Sequence, residues 1–233
     1  MKYPTHISFT TSLANYIKSM QDKVNEGKLP AVLHDKNLQA IVETIMDYQA
    51  QLKQIPAGVK RALAVLRGID KLIVQQRSEH RDIHRRVTCR KGCSACCHQM
   101  VEITTDEAEL LAKLVETGRA AIDPEKLLKQ ASWSTDPDKW WLQPKEERSC
   151  VFLKDNVCSV YKYRPVNCRK YLVVNDPKEC ANPLGGPVLT VMMNEVEILA
   201  TAAGDLDRAS LGSNMPQTLL KAIMKRGMLR GKK

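Results

Sequence analysis

The sequence predicts a mainly α fold with a small β-hairpin, a helical domain organised around a cysteine-ligated metal or cluster site. Three observations carry this. Apolar residues recur at helical spacing along most of the chain, and Gly and Pro punctuate them. One short stretch alternates and turns back like a hairpin. Eight cysteines gather in the middle: Cys89, Cys93, Cys96 and Cys97 as a C-x3-C-x2-C-C knot, then Cys150, Cys158, Cys168 and Cys180 at longer spacing.

The elements follow in order. Leu13, Tyr16, Ile17, Met20 and Val24 mark a first helix, with Thr10 and Thr11 as caps and Gly27 and Pro30 as its end. Asp35 or Asn37 caps a second, whose apolar face is Leu38, Ile41, Val42, Ile45 and Leu52, and Pro56 and Gly58 break it. A third runs over 59–86, with Leu63, Leu66, Ile69, Leu72 and Ile73 facing inward, and leads into Cys89. Beyond the knot, residues 100–103 read as short and extended. Thr104-Thr105-Asp106-Glu107 is a capping box for a helix that stops at Gly118. Asp123-Pro124 starts a short helix, because Pro is favoured at the first helical position. Residues 133–145, with all three Trp, read as irregular. Val151-Phe152-Leu153 and 157–161 form the hairpin around Lys154-Asp155-Asn156. Gly185-Gly186-Pro187 is a turn, 188–203 a helix ending at Gly204, and Ser213-Asn214-Met215-Pro216 caps a last helix before a basic tail. These divide the chain into an N-terminal helical segment (1–88), a cysteine-cluster domain (89–182) and a C-terminal helical segment (183–233).

The start of the chain lacks the apolar run of a signal peptide, and no stretch has the length of a membrane span. This predicts a cytoplasmic protein with no membrane partner, and a reducing compartment favours metal ligation over disulfides. Metal ligation needs several thiolates to converge, and ligands close in sequence lose little chain entropy on closing the loop. Gly92 lets the knot bend. Cys96 and Cys97 are neighbours whose side chains diverge, so either one ligates while the other packs, or they serve different atoms of a cluster.

The segment Cys89-Arg90-Lys91-Gly92-Cys93-Ser94-Ala95-Cys96-Cys97 resembles the signature of the YkgJ-type cysteine-cluster proteins, described as zinc- or iron-chelating domains. The likeness continues in Cys150-Val151-Phe152-Leu153, Cys158-Ser159-Val160-Tyr161, Arg164-Pro165 and Cys168-Arg169. Val151 stands where members usually carry Pro, and Lys154-Asp155-Asn156 supplies a turn where they carry Gly. The resemblance implies a zinc ion or an iron–sulfur cluster held by these cysteines. Flagellin lysine-N-methylases are similar in this region, which keeps a protein lysine methyltransferase or a redox enzyme open as an alternative.

The expected ligands are Cys89, Cys93, Cys96, Cys97, Cys150, Cys158 and Cys168. Arg164 and Arg169, flanking Cys168, are expected to support the bound group by charge and hydrogen bonding. All-sulfur ligation with surplus thiols favours an iron–sulfur cluster over zinc. C-x3-C-x2-C is also the spacing of radical S-adenosylmethionine enzymes, but the alternating strands and helices of their barrel are missing. His98 is a candidate accessory ligand. His80 and His84 share a helical face, yet Arg77, Arg81 and Arg85 make it cationic and unsuited to a dication. The net charge of +10 balances buried thiolates, or else serves an acidic protein or nucleic-acid partner through the stripe Arg77, Arg81, Arg85, Arg86, Arg90 and Lys91. The expected role is structural, sensing or metal-handling; an adaptor with structural zinc is the third reading.

Overall fold

A computed structural model describes residues 36–181, 188–207 and 213–228. The helix expected over 13–24, the turn at 185–187 and the basic tail from 229 lie outside the described residues. Helix α1 (Lys36–Lys53) buries Ile45 and Leu52 and ends before Pro56. Helix α2 (Val59–Glu79) follows Gly58, whose φ of 85° suits only glycine. Its buried residues, Ala62, Val65, Leu66, Ile69 and Ile73, fall three or four apart and form one stripe.

The helix expected to continue to residue 86 breaks instead at His80, and a separate short helix, α3 (Arg81–Arg85), follows. The physical reason is the loss of a buried face. Ile73 is the last buried residue of α2 and α3 has none. The Arg77, Arg81 and Arg85 series also repels itself at four-residue spacing.

Helix α4 (Thr105–Glu116) carries the expected capping box in full: the Thr104 side chain accepts from the Glu107 N–H, and the Glu107 carboxylate accepts from the Thr104 N–H. Helix α5 (Pro124–Ala131) starts at Asp123, whose carboxylate accepts from Glu125 and Lys126. The stretch expected to be irregular, 133–145, contains a short helix, α6 (Pro137–Trp141), and a second, α7 (Lys145–Arg148), begins at its end. Asp136-Pro137 starts α6 by the same cap-and-proline device as Asp123-Pro124.

Strands β1 (Leu153–Lys154) and β2 (Val157–Cys158) pair antiparallel, Leu153 with Cys158 and Lys154 with Val157. Asp155 and Asn156 both have positive φ, 49° and 59°, the geometry of a two-residue type I′ turn. After Pro165 comes α8 (Val166–Lys170), which carries Cys168. The helix expected from 188 begins later, as α9 (Asn194–Asp205). The β-branched segment before it is extended: Thr190 bridges Val173, and the Val191 N–H donates to Leu172 at 2.8 Å. Helix α10 (Met215–Lys225) is capped by Asn214 as expected.

Two apolar clusters hold these elements. One joins α4, α5, α10 and the hairpin through Ile103, Leu111, Leu127, Phe152, Leu219 and Ile223. The other joins α2, α8 and α9 through Leu66, Ile69, Val166, Leu172 and Val196, and takes Leu110 from α4. Cys150, Cys158 and Cys168 pack against the first and Cys89 against the second, while Tyr163 touches both. These four cysteines therefore border the two clusters.

Candidate metal centre

Backbone hydrogen bonds fasten the knot before any metal is considered. The Thr88 N–H donates to Val173 at 2.8 Å, and its hydroxyl donates to Asn175 at 2.7 Å. Gly92, with φ 91°, allows the bend, and the Cys93 N–H donates back to Arg90 at 3.0 Å. A single 3-10 turn, Ala95–His98, follows. The Cys150 N–H then donates to the Cys97 carbonyl at 2.7 Å. This bond ties the knot to the hairpin across the whole α4–α7 excursion. From the other side, the Glu107 carboxylate accepts from the Val166 N–H at 2.7 Å, and the Asn167 amide donates to the Glu102 carbonyl at 2.8 Å. Both bonds are buried, and both fix the short helix that presents Cys168.

Cys93, Cys96, Cys97, Cys150, Cys158 and Cys168 line one cavity of about 80 Å³. Apolar side chains, among them Val101, Phe152, Val160 and Met215, make up much of the wall. Thiols of the bend and thiols of the hairpin region thus share one chamber. Among the described residues, no three His, Cys, Asp or Glu side chains stand so as to hold one metal ion. The six thiols share the lining of one space.

Electrostatics marks Cys96 as the hub. Its thiol lies well above its ordinary range because it hydrogen-bonds to Cys97 and is buried. Its charge in turn helps raise the thiols of Cys89, Cys150, Cys158, Cys168 and Cys180. For all five, burial is the main cause, and it pushes Cys150 to about 12. Such thiols keep their protons until a cation or metal replaces them. Arg164 is the opposing charge: its guanidinium lowers Cys89, Cys96 and Cys158. It lies 4.2 Å over the Tyr161 ring, lines the cavity, and its buried Nε has no hydrogen-bond partner.

The other candidates fall in different places. Cys89 is outside the cavity lining. Its sulfur accepts from the Val173 N–H at 3.2 Å, beside Cys93 and Cys96. Cys180, which the sequence left undecided, is buried near the same group, and its thiol is pushed up to about 12 by burial and by Cys96, Cys89 and Cys93. Arg169 does not line the cavity. It pairs with Asp70 and donates to the carbonyls of Lys162 and Arg164, so it braces the turn that carries Arg164. His98 faces an outer groove with Cys93 and Lys178, and its Nδ1 meets the Lys145 carbonyl at 3.1 Å. Trp140 packs on Trp133 with ring centres 4.9 Å apart and donates to the His98 carbonyl at 3.0 Å. Lys225 and Arg226, part of the C-terminal basic run, are committed to Glu109, and Arg226 also to Glu116.

Sequence reasoning passed over Glu107 as a support for Cys168, and Gln130 and Arg148 as cavity residues. Glu107 was legible only as half of a capping box. Gln130 and Arg148 reach the cavity by packing between elements far apart in sequence, which leaves no local pattern.

A family model described as "CxxCxxCC: Putative zinc- or iron-chelating domain" matches residues 88–184. The likeness covers that segment, less than half of the chain. The match spans all eight cysteines and the cavity-lining residues other than Met215 and Pro216. No curated protein and no solved structure matches the chain. The matched family is described as zinc- or iron-chelating, which supports a metal bound through these cysteines, and the matched segment is set here in a helical protein. Among the described residues no helix is long and apolar enough to cross a membrane.

Proposed function

We propose that the protein is a cytosolic metal-binding protein that holds an iron–sulfur cluster through cysteines of the knot, the hairpin and α8. One observation carries the reading: six thiols from separated stretches line a single, mostly apolar cavity. Zinc takes four ligands at about 2.3 Å around one point. Here more thiols line the cavity than one ion uses. A multi-atom centre suits that arrangement better.

The ligands come from Cys93, Cys96, Cys97, Cys150, Cys158 and Cys168, with Cys89 adjoining through Cys93 and Cys96. A centre of thiolates and sulfide is anionic, and burying it requires facing cations and N–H donors. Arg164 supplies the charge and Arg169 holds Arg164 in place. An iron–sulfur cluster supplies one-electron exchange or structural cross-linking, and the cysteines bordering the two apolar clusters favour a centre that also stabilises the fold. The role is accordingly structural, sensing or metal-handling.

Anaerobic purification followed by visible absorption and elemental analysis tests this. Brown protein with iron and acid-labile sulfide is the expected result. Colourless protein with stoichiometric zinc would overturn the cluster assignment and leave a zinc-chelating domain.

A further inference from the structure

Six cations stand together just before the cysteine knot, and the fold leaves them almost unmatched. Arg77 lies in the last turn of α2, Arg81 and Arg85 belong to α3, Arg86 follows it, and Arg90 and Lys91 lead into the knot. All six residues are exposed. Two acids, Glu79 and Asp82, share the segment, so with neutral His80 and His84 its net charge is six less two, +4. The break at His80 folds this series without scattering it. Burial first, then Arg77 and His80, hold the His84 imidazole below its ordinary range, so the end of α2 stands beside α3.

Two ordinary uses of such charge fail here. The first is pairing within the chain. Elsewhere cations meet carboxylates: Arg61 with Asp106, Arg169 with Asp70, Lys170 with Glu197 and Arg226 with Glu109. In this segment only Arg85 does so among the described residues, to Asp82 at 3.8 Å, with both side chains largely in water. Glu79 is instead taken up by Gln75 and Gln76. The second is balance for the thiols. The cations that act most on the cysteines are Arg164 and Lys126, which come from other elements. Helix α3 also buries no residue, so the core gives this short element no packing of its own.

We propose that this elbow of α2, α3 and the approach to the knot is a docking surface for the phosphate backbone of a double-stranded nucleic acid. Five of the six cations are Arg, whose planar fork matches phosphate oxygens in pairs. Residues 77–91 contain no Phe, Tyr or Trp, so the segment has no platform for stacking unpaired bases, which turns the choice from single strands to a duplex. An anionic membrane would require a broad apolar face beside the charge, and an acidic protein would require buried aromatic or aliphatic anchors. Ile83 is the one large apolar residue exposed in the segment and supplies neither. Charge alone is sufficient for a duplex, because each neutralised phosphate releases condensed counterions. Contacts of this kind position a protein on the duplex without reading its sequence.

The test uses the full chain, purified anaerobically and with its metal content measured. Fluorescence anisotropy follows binding to a labelled DNA duplex of about 20 base pairs between about 50 and 200 mM salt. Neutralising about four to six phosphates gives a slope of log affinity against log salt of about −3.6 to −5.4. The triple variant Arg81→Gln/Arg85→Gln/Arg86→Gln should lose about 2.7 of that slope and bind at least about tenfold more weakly. Lys113→Gln/Lys129→Gln/Lys154→Gln removes the same charge elsewhere and should keep the wild-type slope. Circular dichroism confirms that the variants are folded; if the triple variant is not, Arg77→Gln/Arg81→Gln serves in its place, with a loss of about 1.8. A duplex of unrelated sequence should bind equally well, and an RNA duplex in place of DNA would also support the proposal. The proposal is overturned by absence of duplex binding at the lowest salt, by equal weakening in the lysine control, or by strong sequence dependence. It is equally overturned if polyglutamate of matched charge displaces the duplex as well as unlabelled duplex does, or if vesicles rich in phosphatidylserine bind where the duplex does not.

Discussion

Glu107→Gln probes the link between the helical frame and the candidate centre. The Glu107 carboxylate is 3% exposed and accepts three hydrogen bonds: from the Thr104 N–H at 2.8 Å, the Thr104 hydroxyl at 3.1 Å and the Val166 N–H at 2.7 Å. Glutamine has one oxygen for these three donors. Kept on Thr104, that oxygen preserves the capping box, and the new NH2 then points at the Val166 N–H. A buried donor left without an acceptor costs about 1–3 kcal/mol, and two donors now face each other. Burial raises the Glu107 carboxyl, so removing its charge recovers part of this loss. The net expectation is about 1–3 kcal/mol. At about 2–4 °C per kcal/mol for a chain of this size, thermal melting should fall by roughly 2–12 °C. Metal retention should fall as well, because Val166 opens the helix that presents Cys168. Differential scanning calorimetry and elemental analysis on the same samples make the comparison. Glu109→Gln is the control: it breaks the part-buried ion pairs to Lys225 and Arg226, outside the thiol cavity, and should lower the melting point without loss of metal. A Glu107→Gln melting point within 1 °C of wild type, with full metal content, would refute the proposed coupling.

Further expectations follow from the same geometry. Cys93→Ser should remove the metal and lower thermal stability, while Cys180→Ser should have a smaller effect; equal metal content in wild type and Cys93→Ser would contradict the ligand set. Burial raises the Cys150 and Cys180 thiols to about 12, so the fold favours their protonated forms. Their contribution is complete below the unfolded thiol range near pH 8.5 and is lost as pH rises towards about 12. Urea midpoints of the metal-free protein should therefore decline between those limits, and a flat profile would show that these thiols titrate as if exposed. Because thiols must ionise to ligate, metal uptake near pH 7 should release about one proton per sulfur bound, measurable with an indicator dye in weak buffer. Trp140→Phe should cost about 1 kcal/mol in denaturant unfolding through loss of its bond to the His98 carbonyl, and no change would mean that this bond adds nothing to the fold.

What the sequence determined by itself was local. Short-range devices name themselves: the Thr104–Glu107 capping box, the Asp123-Pro124 start, the Asn214 cap and the turn at Asp155-Asn156 are each complete within a few residues. The cysteine knot was legible for the same reason, since its spacing carries its chemistry. The misjudged elements depended on burial. The helix expected to reach residue 86 broke where α2 lost its buried face, and the segment from 188 became extended because Leu172, Val173 and Val174 offered it a partner. Only the tertiary structure decided which sulfurs share a chamber, that Cys89 and Cys180 lie beside it, that Gln130 and Arg148 line it, and that Glu107 holds the helix presenting Cys168. These depend on hydrogen bonds and packing between residues tens of positions apart, such as Cys97 with Cys150 and Glu107 with Val166. No local pattern encodes such pairings, because burying the two apolar clusters is what brings their partners together.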